Sequence, residues 1–174
     1  MKNLFTSRWA RALLLASFEL LAGCHTHHKT PGIVRIDFIE IDRDVRHFMS
    51  DVAHDVTQDG PSSWHKYFAD TPAFFMVVNG QMAFANSSKA TTGIQQVAKS
   101  IKQIELKWGD DLRLDPLAPD MAVVAAPYHE IQVWADGQRV EENGYFTGVV
   151  QYRDGRWQFR DCHWSEPVPS SPKR

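Results

Sequence analysis

Apolar residues recur at steps of three and four along residues 37–58, between charged and polar positions. The apolar positions are Phe38, Ile41, Val45, Phe48, Val52 and Val56. This spacing predicts one long amphipathic helix, with the intervening acidic residues and histidines on its solvated face. Gly60 ends the pattern. Pro61 then occupies a first-turn position of a second, short helix that contains Trp64 and Phe68.

The rest of the pattern is mostly that of β-strands. Two apolar runs flank Asn79-Gly80, which is the strongest short signal for a β-hairpin. Residues 86–104 predict a third helix, whose apolar side carries Ile94, Val97, Ile101 and Ile104. Long strands follow, divided by turns at Asp136-Gly137 and Asp154-Gly155.

This order of elements predicts an α+β fold. A strongly curved antiparallel sheet would wrap around about three helices, because the strands are too long for a flat sheet on so few helices. Such a sheet forms a cone with an open wide end, and ligand pockets form in mouths of this kind.

The first 24 residues have a different character. Lys2, Arg8 and Arg11 precede a short apolar stretch, which is too short to span a bilayer. The sequence Leu-Ala-Gly-Cys at 21–24 resembles a bacterial lipobox. That resemblance implies a signal peptide over residues 1–23 and lipid attachment at Cys24. An ordinary signal peptide, or an N-terminal helix with a chance cysteine, is the alternative.

The lipobox resemblance also implies a location. The residue after the cysteine is His25 rather than aspartate, as in lipoproteins of the outer membrane of the bacterial cell envelope that face the periplasm. The chain would then meet the membrane through lipidated Cys24.

The remaining segments form one domain with short ends. Residues 24–36 form a polar tether with His25, His27 and His28, residues 37–167 the domain, and residues 168–174 a loose tail. The tether is expected to be a solvated linker rather than a metal site, because no second ligand cluster is fixed nearby.

Composition excludes several classes of function. The chain has 174 residues, 43% hydrophobic and 23% charged, with a formal net charge of -2. This composition is typical of a globular domain. The sequence has no basic patch that would predict nucleic-acid binding. Two cysteines are present, so a lipidated Cys24 would leave Cys162 as a buried, unreactive thiol. No metal or cofactor motif is present, and neither a metal nor a cofactor is expected.

The ordered motifs resemble the NTF2-like superfamily, and within it the SnoaL-like and ketosteroid-isomerase-like domains. The resemblance covers residues 38–166. It rests on WHKYFADTPAFF before the first strand and on DMAVVAAPY, GYFTGVVQYRDGRWQF and CHWSE in the last three strands. It implies the cone-shaped fold and a homodimer formed through the sheet.

The resemblance does not imply steroid isomerisation. That reaction uses an aspartate base, a tyrosine and a protonated aspartate. The base position falls among Met76, Val77 and Val78, the first helix has no tyrosine, and the penultimate strand has Thr147 or Gly148 where the acid should be. All three catalytic groups are missing, which argues against steroid isomerisation. Whether the protein catalyses another reaction is left open.

Strand alternation gives candidate site residues. In the last strand it places Asp161 and His163 on the face of Trp157 and Phe159. We predict that the two aromatic residues pack on the first helix near Phe48 and Val52. Asp161 and His163 would then lie at the mouth of the cone. A histidine oriented by an acid can act as a general base, but a structural role for His163 is favoured.

Two further pairs share strand faces. Tyr128 and Glu130 lie on one face of their strand, and Tyr145 and Thr147 on one face of the next. Either pair could line the pocket, and the sequence leaves this open.

The sequence therefore predicts an envelope lipoprotein that binds a small, largely apolar ligand in its cone. The pocket candidates are Trp64, Phe68, Tyr128, Tyr145, Thr147 and His163. The alternatives are a SnoaL-like isomerase, cyclase or hydrolase that uses Asp161 and His163, and a protein-interaction module with a filled cone.

Overall fold

The computed structural model describes residues 38–167. Its helices are α1 (Phe38–Asp59), a 3₁₀ helix (Pro61–Lys66) and α2 (Ser87–Ser100). None of the helices in this range is long and apolar enough to cross a membrane. The predicted signal peptide, Cys24, the tether at 24–36 and the tail at 168–174 lie outside the described residues.

Seven strands form one sheet. They are β1 (Phe75–Val78), β2 (Gln81–Phe84), β3 (Ile101–Trp108), β4 (Arg113–Ala118), β5 (Met121–Trp134), β6 (Arg139–Arg153) and β7 (Arg156–Ser165). The order is β2-β1-β7-β6-β5-β3, and β4 also pairs with β5. All pairings are antiparallel except that of β1 with β7, so the sheet is mixed. The predicted α+β fold is confirmed, and the sheet does not close into a barrel.

The apolar stripe of α1 fills the concave side of the sheet. Its buried residues are Ile41, Val45, Phe48, Met49, Val52 and Val56. Phe48 packs edge-on against Phe159 of β7, with ring centroids 4.9 Å apart. The Trp108 indole N–H donates to the Met49 carbonyl at 2.7 Å, so α1 is also tied to β3. The predicted amphipathic helix is confirmed.

The third helix is shorter than the sequence pattern predicts. It ends at Ser100, and Ile101 already has extended backbone angles and begins β3. A bulge between Ile101 and Gln103 turns Ile101, Ile104 and Leu106 toward the core. The spacing of three between the inward residues Ile101 and Ile104 therefore arises from a bulge in a strand, and the same spacing is typical of a helix.

A second bulge changes the faces of β7. Phe159 pairs with Val150 and Asp161 with Val149, so Arg160 has no partner on β6. Phe159 is held by the segment between the 3₁₀ helix and β1, since its N–H donates to Tyr67 O at 2.7 Å and its carbonyl accepts from Ala69 N at 2.9 Å. After the bulge Cys162 and Trp164 point inward and are buried. The prediction that Asp161 and His163 share the face of Phe159 is therefore wrong.

Candidate functional site

An open cavity of about 210 Å³ lies between the concave face of the sheet and the helices. Its walls are mainly apolar and come from the sheet, from α2 and from the 3₁₀ helix with the residues that follow it. The apolar and aromatic lining residues are Pro61, Trp64, Phe68, Met76, Val78, Phe84, Ile94, Val97, Ile101, Ile104 and Trp164. This cavity is the best candidate for a binding site, because ligand sites are concave and mostly apolar with a few polar groups.

Aromatic rings form one continuous wall of the cavity. Trp64 stacks on Phe68 with ring centroids 5.5 Å apart. Trp64 also meets Trp164 edge-on at 5.8 Å, and Trp164 meets Tyr128 edge-on at 4.7 Å. These contacts hold each ring in place, so the wall is formed before any ligand arrives.

The inward face of β5 lies partly in the closed core and partly in the wall of the cavity. Its inward residues are first small and fully buried, through Ala126, and then become Tyr128, Glu130 and Gln132, which line the cavity. The pairing of β5 with β6 places Glu130 directly opposite Glu142, a second lining residue. One end of the strand pair thus brings two carboxylates into an apolar space.

Glu130 is the most perturbed carboxylate of the site. Its residue surface is 8% exposed, and burial raises its pKa to about 7, with smaller contributions from Glu142 and Glu166. Gln132 Nε2 donates to Glu130 Oε1 at 2.5 Å, which opposes the shift. The pKa of Glu142 is also raised, first by burial and then by Glu166. Glu130 can therefore hold or release a proton near neutral pH.

Tyr128 fits the wall because its neighbour on β6 is a glycine. A Cβ at Gly144 would lie 2.6 Å from Tyr128 Cε1 and 2.2 Å from the Ser165 carbonyl. Burial raises the pKa of the Tyr128 hydroxyl, as do the nearby carboxylates, led by Glu166. Tyr128 therefore stays protonated and faces the cavity as a neutral hydroxyl.

The hairpin turn fixes the third carboxylate of the lining. Asn79 Nδ2 donates to Glu166 Oε1 at 2.9 Å, and Glu166 N donates to Asn79 Oδ1 at 2.8 Å. The Asn79-Gly80 turn therefore orients Glu166 as well as closing the β1–β2 hairpin.

Solved structures share this architecture at low sequence identity. An NTF2-like superfamily protein from Salmonella enterica subsp. enterica serovar Typhimurium str. LT2 has a TM-score of 0.65 and 14% identity, over 78% of this chain and 97% of that one. A scytalone dehydratase-like protein from Novosphingobium aromaticivorans DSM 12444 has a TM-score of 0.65 and 12% identity, over 78% and 91%. The protein has an NTF2-like fold. The predicted resemblance is confirmed at the level of the fold.

Other comparisons add an enzyme to the fold's neighbours. The hexachlorocyclohexane dehydrochlorinase LinA type 2 has a TM-score of 0.60 and 14% identity, over 75% of this chain and 87% of that one. No family model matches the sequence, and no curated protein matches it. At these identities the likeness establishes the NTF2-like fold and leaves the function to the site.

The NTF2-like cone contains half of the predicted pocket residues. Trp64, Phe68 and Tyr128 line it. Tyr145, which is 40% exposed, and Thr147 lie on the opposite face of the sheet, because β6 alternates and Phe146 points inward. The question left open by the sequence is thus decided in favour of Tyr128 and Glu130.

Asp161 and His163 lie outside the cone. They line a shallow groove on the convex face with Phe75, Val77 and Thr147. Asp161 Oδ1 accepts from Val149 N at 3.3 Å, and burial raises its pKa. Their predicted position at the cone mouth is wrong, because the bulge at Arg160 reverses the faces of the strand.

The predictions for Phe159, Trp157 and Cys162 have different outcomes. Phe159 packs on Phe48 as predicted, whereas Trp157 is only partly buried and packs against Tyr152. Cys162 is buried and free, and burial raises its pKa, which keeps the thiol protonated and unreactive.

Sequence reasoning missed most of the polar lining. Glu142, Gln132 and Glu166 were not among the pocket candidates. Alternation from buried Phe146 back along β6 gives Glu142 the inward direction, so this residue could have been found once that face was known. Within residues 38–167, no group of three or more histidine, cysteine, aspartate or glutamate side chains is placed to hold a metal ion.

Proposed function

We propose that this protein binds a small, largely apolar ligand in its NTF2-like cone. The observation that carries the proposal is the open cavity of about 210 Å³ with a preformed aromatic wall. Burying a ligand there removes apolar surface from water on both partners, at about 25 cal/mol for each Å². The walls need little ordering, which keeps the entropic cost of binding low.

The open cavity also supports binding over the interaction-module alternative. A filled cone would leave no space beside Trp64, Met76 and Val78, and these residues line open space. Asp161 and His163, the predicted catalytic pair, lie on the convex face and have no part in the proposed site.

Native mass spectrometry tests the proposal directly. The protein purified from its own host should carry a small organic molecule that denaturation releases. Val78→Phe fills the cavity and should abolish this binding, while Val77→Phe places the same ring on the convex face and should retain it. Loss of the ligand from both variants, or from neither, would count against the cone as the site.

A second candidate function is acid–base catalysis on the bound ligand. Glu130 supports it, because a carboxyl with a pKa of about 7 in an apolar site can both accept and donate a proton at neutral pH. Two structural neighbours carry the names of enzymes, a dehydratase and a dehydrochlorinase. Incubation of the recovered ligand with the protein and with Glu130→Gln tests this. A change of ligand mass that only the unsubstituted protein produces would support catalysis.

We also propose that lipid at Cys24 anchors the chain to the outer membrane, facing the periplasm. This proposal rests on Leu-Ala-Gly-Cys at 21–24 and the following His25. The cone would then take up its ligand in the periplasm. Fractionation of the host and mass spectrometry of the mature N-terminus test the anchor and the location.

The convex face of the sheet is the proposed homodimer interface. Phe75 and Tyr145 are exposed on this face. Together with the neighbouring Val77, Val123 and Thr147 they form a mainly apolar surface. Tyr145→Lys should convert a dimer into a monomer in light scattering and leave ligand binding unchanged. A chain that is monomeric before substitution would refute the dimer and not the ligand.

A further inference from the structure

The polar end of the cavity is acidic and has no basic partner. Glu130, Glu142 and Glu166 all line it, with Tyr128 and Gln132 as the neutral polar groups. No lysine, arginine or histidine is among the described residues of the lining. Within residues 38–167, no ion pair joins any of the three glutamates to a basic side chain.

The convex face of the same strands is built differently. Glu141, the neighbour of Glu142, contacts Arg139 and His129, each at 2.9 Å. Glu105 likewise pairs with Lys107. On β6, the outward Glu141 therefore has basic partners, whereas the next residue, the inward Glu142, has none within residues 38–167. The inner carboxylates are missing the counter-charge that the outer ones receive.

From this arrangement we infer that the cone selects a ligand with a protonated amine at one end and a small apolar body at the other. The inference rests on the proposed function, and it names the ligand class for that site. An ammonium group beside Glu130 and Glu142 would donate charge-assisted hydrogen bonds to their carboxylates and relieve the repulsion between these two groups, which face each other across β5 and β6.

The aromatic wall suits the same head group. Tyr128 and Trp164 are in edge-on contact, and both line the cavity with the glutamates. A cation near the face of a tyrosine or tryptophan ring is attracted by the ring quadrupole, and more strongly where water is excluded. A carboxylate ligand would instead lie beside three glutamates, and a neutral alcohol would gain hydrogen bonds without an ionic attraction.

The size of the cavity limits the apolar body. A volume of about 210 Å³ lies below the range of roughly 300–1,000 Å³ for sites of drug-sized ligands. A single phenyl ring or a short alkyl chain therefore fits better than a steroid or a long lipid chain. The 2-phenylethyl group provides a matched series with ammonium, hydroxyl and carboxylate heads.

Calorimetric titration of the full chain with 2-phenylethylammonium, 2-phenylethanol and 3-phenylpropionate tests the inference. We expect the ammonium to bind about tenfold more tightly than the alcohol, and the carboxylate to bind most weakly. Between about pH 5 and pH 8 the ammonium affinity should rise as Glu130, whose pKa is about 7, ionises, whereas the alcohol affinity should stay flat. The pH arm uses the unsubstituted protein and so does not depend on a variant that folds.

Variants assign the effect to the inner carboxylates. Glu130→Gln and Glu142→Gln should each weaken ammonium binding about tenfold and weaken alcohol binding much less, because the amide still offers hydrogen bonds. Glu141→Gln removes the same charge from the convex face and should change neither. It is the matched control for net charge.

The outcomes separate this inference from the proposal on which it rests. Equal affinity for ammonium and alcohol, or a loss caused equally by Glu141→Gln, would overturn the amine inference and leave apolar binding standing. Failure of all three compounds to bind the folded chain would overturn both.

Discussion

Glu130 and Glu142 face each other across the β5–β6 pairing, inside a cavity whose other walls are mainly aliphatic and aromatic. Two carboxylates at directly opposite positions repel each other, and a core that was selected for stability alone would not retain them. This pair is therefore the feature of the fold that most needs a functional explanation. It links strand register to the chemistry of the site, since a slip of β6 by one residue would move Glu142 to the convex face and leave Glu130 inside.

The stability of the protein should fall as the pH rises through neutrality. Glu130 has a folded-state pKa of about 7 against a usual 4.5, so folding favours the protonated form. The favourable contribution is complete below about pH 4.5 and is lost as the pH rises through about 7, by an amount on the order of 3 kcal/mol. Urea unfolding of the unsubstituted protein and of Glu130→Gln across this window measures it.

Glu130→Gln should be the more stable protein at pH 8 and close to the unsubstituted protein at pH 4.5, because the amide carries no charge at either pH. Glu141 behaves oppositely, since His129 and then Arg139 lower its pKa, so Glu141→Gln should not flatten the decline. If the stabilities of the unsubstituted protein and of Glu130→Gln changed in parallel with pH, the raised pKa of Glu130 would be contradicted.

Phe159→Ala should destabilise the domain by about 3–5 kcal/mol. Phe159 is fully buried and touches both α1 and β6, with ring centroids 4.9 Å from Phe48 and 5.3 Å from Phe146. Denaturant titration followed by tryptophan fluorescence gives the change. Tyr152→Ala, on the exposed part of β6, is the control and should cost far less. A loss below about 1 kcal/mol for Phe159→Ala would mean that the core is packed differently.

His163→Gln should leave both ligand binding and monomer stability nearly unchanged. His163 is exposed on the convex face, and the cavity is on the other side of the sheet. A surface substitution of this kind changes stability by about 0.5 kcal/mol or less. Melting temperature and 2-phenylethylammonium affinity are the measurements. Weaker binding at unchanged stability would show that His163 contributes to the site after all.

Cys24→Ser should release the protein from membranes or stall its processing. A serine hydroxyl lacks the thiol that a lipoprotein signal uses, so no lipid would be attached at this position. Fractionation of membranes and the mass of the mature chain report the result. Membrane association together with normal cleavage of the variant would refute the lipid anchor.

The sequence by itself determined the order of the elements, although not the end of the third helix. The apolar stripe from Ile41 to Val56 requires a helix, since only a period near 3.6 places these residues on one side. The turns at Asn79-Gly80 and Asp154-Gly155 require strands on either side, because both turns use positive φ angles that asparagine, aspartate and glycine tolerate. Local steric and periodic rules of this kind act within a few residues, and a single chain displays them completely.

Only the tertiary structure decided which side of the sheet forms the site. Alternation along β7 is interrupted at Arg160, and the cause is distant in sequence: the backbone of Phe159 bonds to Tyr67 and Ala69. That one extra residue sends Asp161 and His163 outward and Trp164 inward. Likewise Glu142 and Glu166 meet Glu130 only because β5, β6 and the chain end after β7 lie side by side. Bulges and strand neighbours depend on long-range pairing, which a period of two along the chain does not contain.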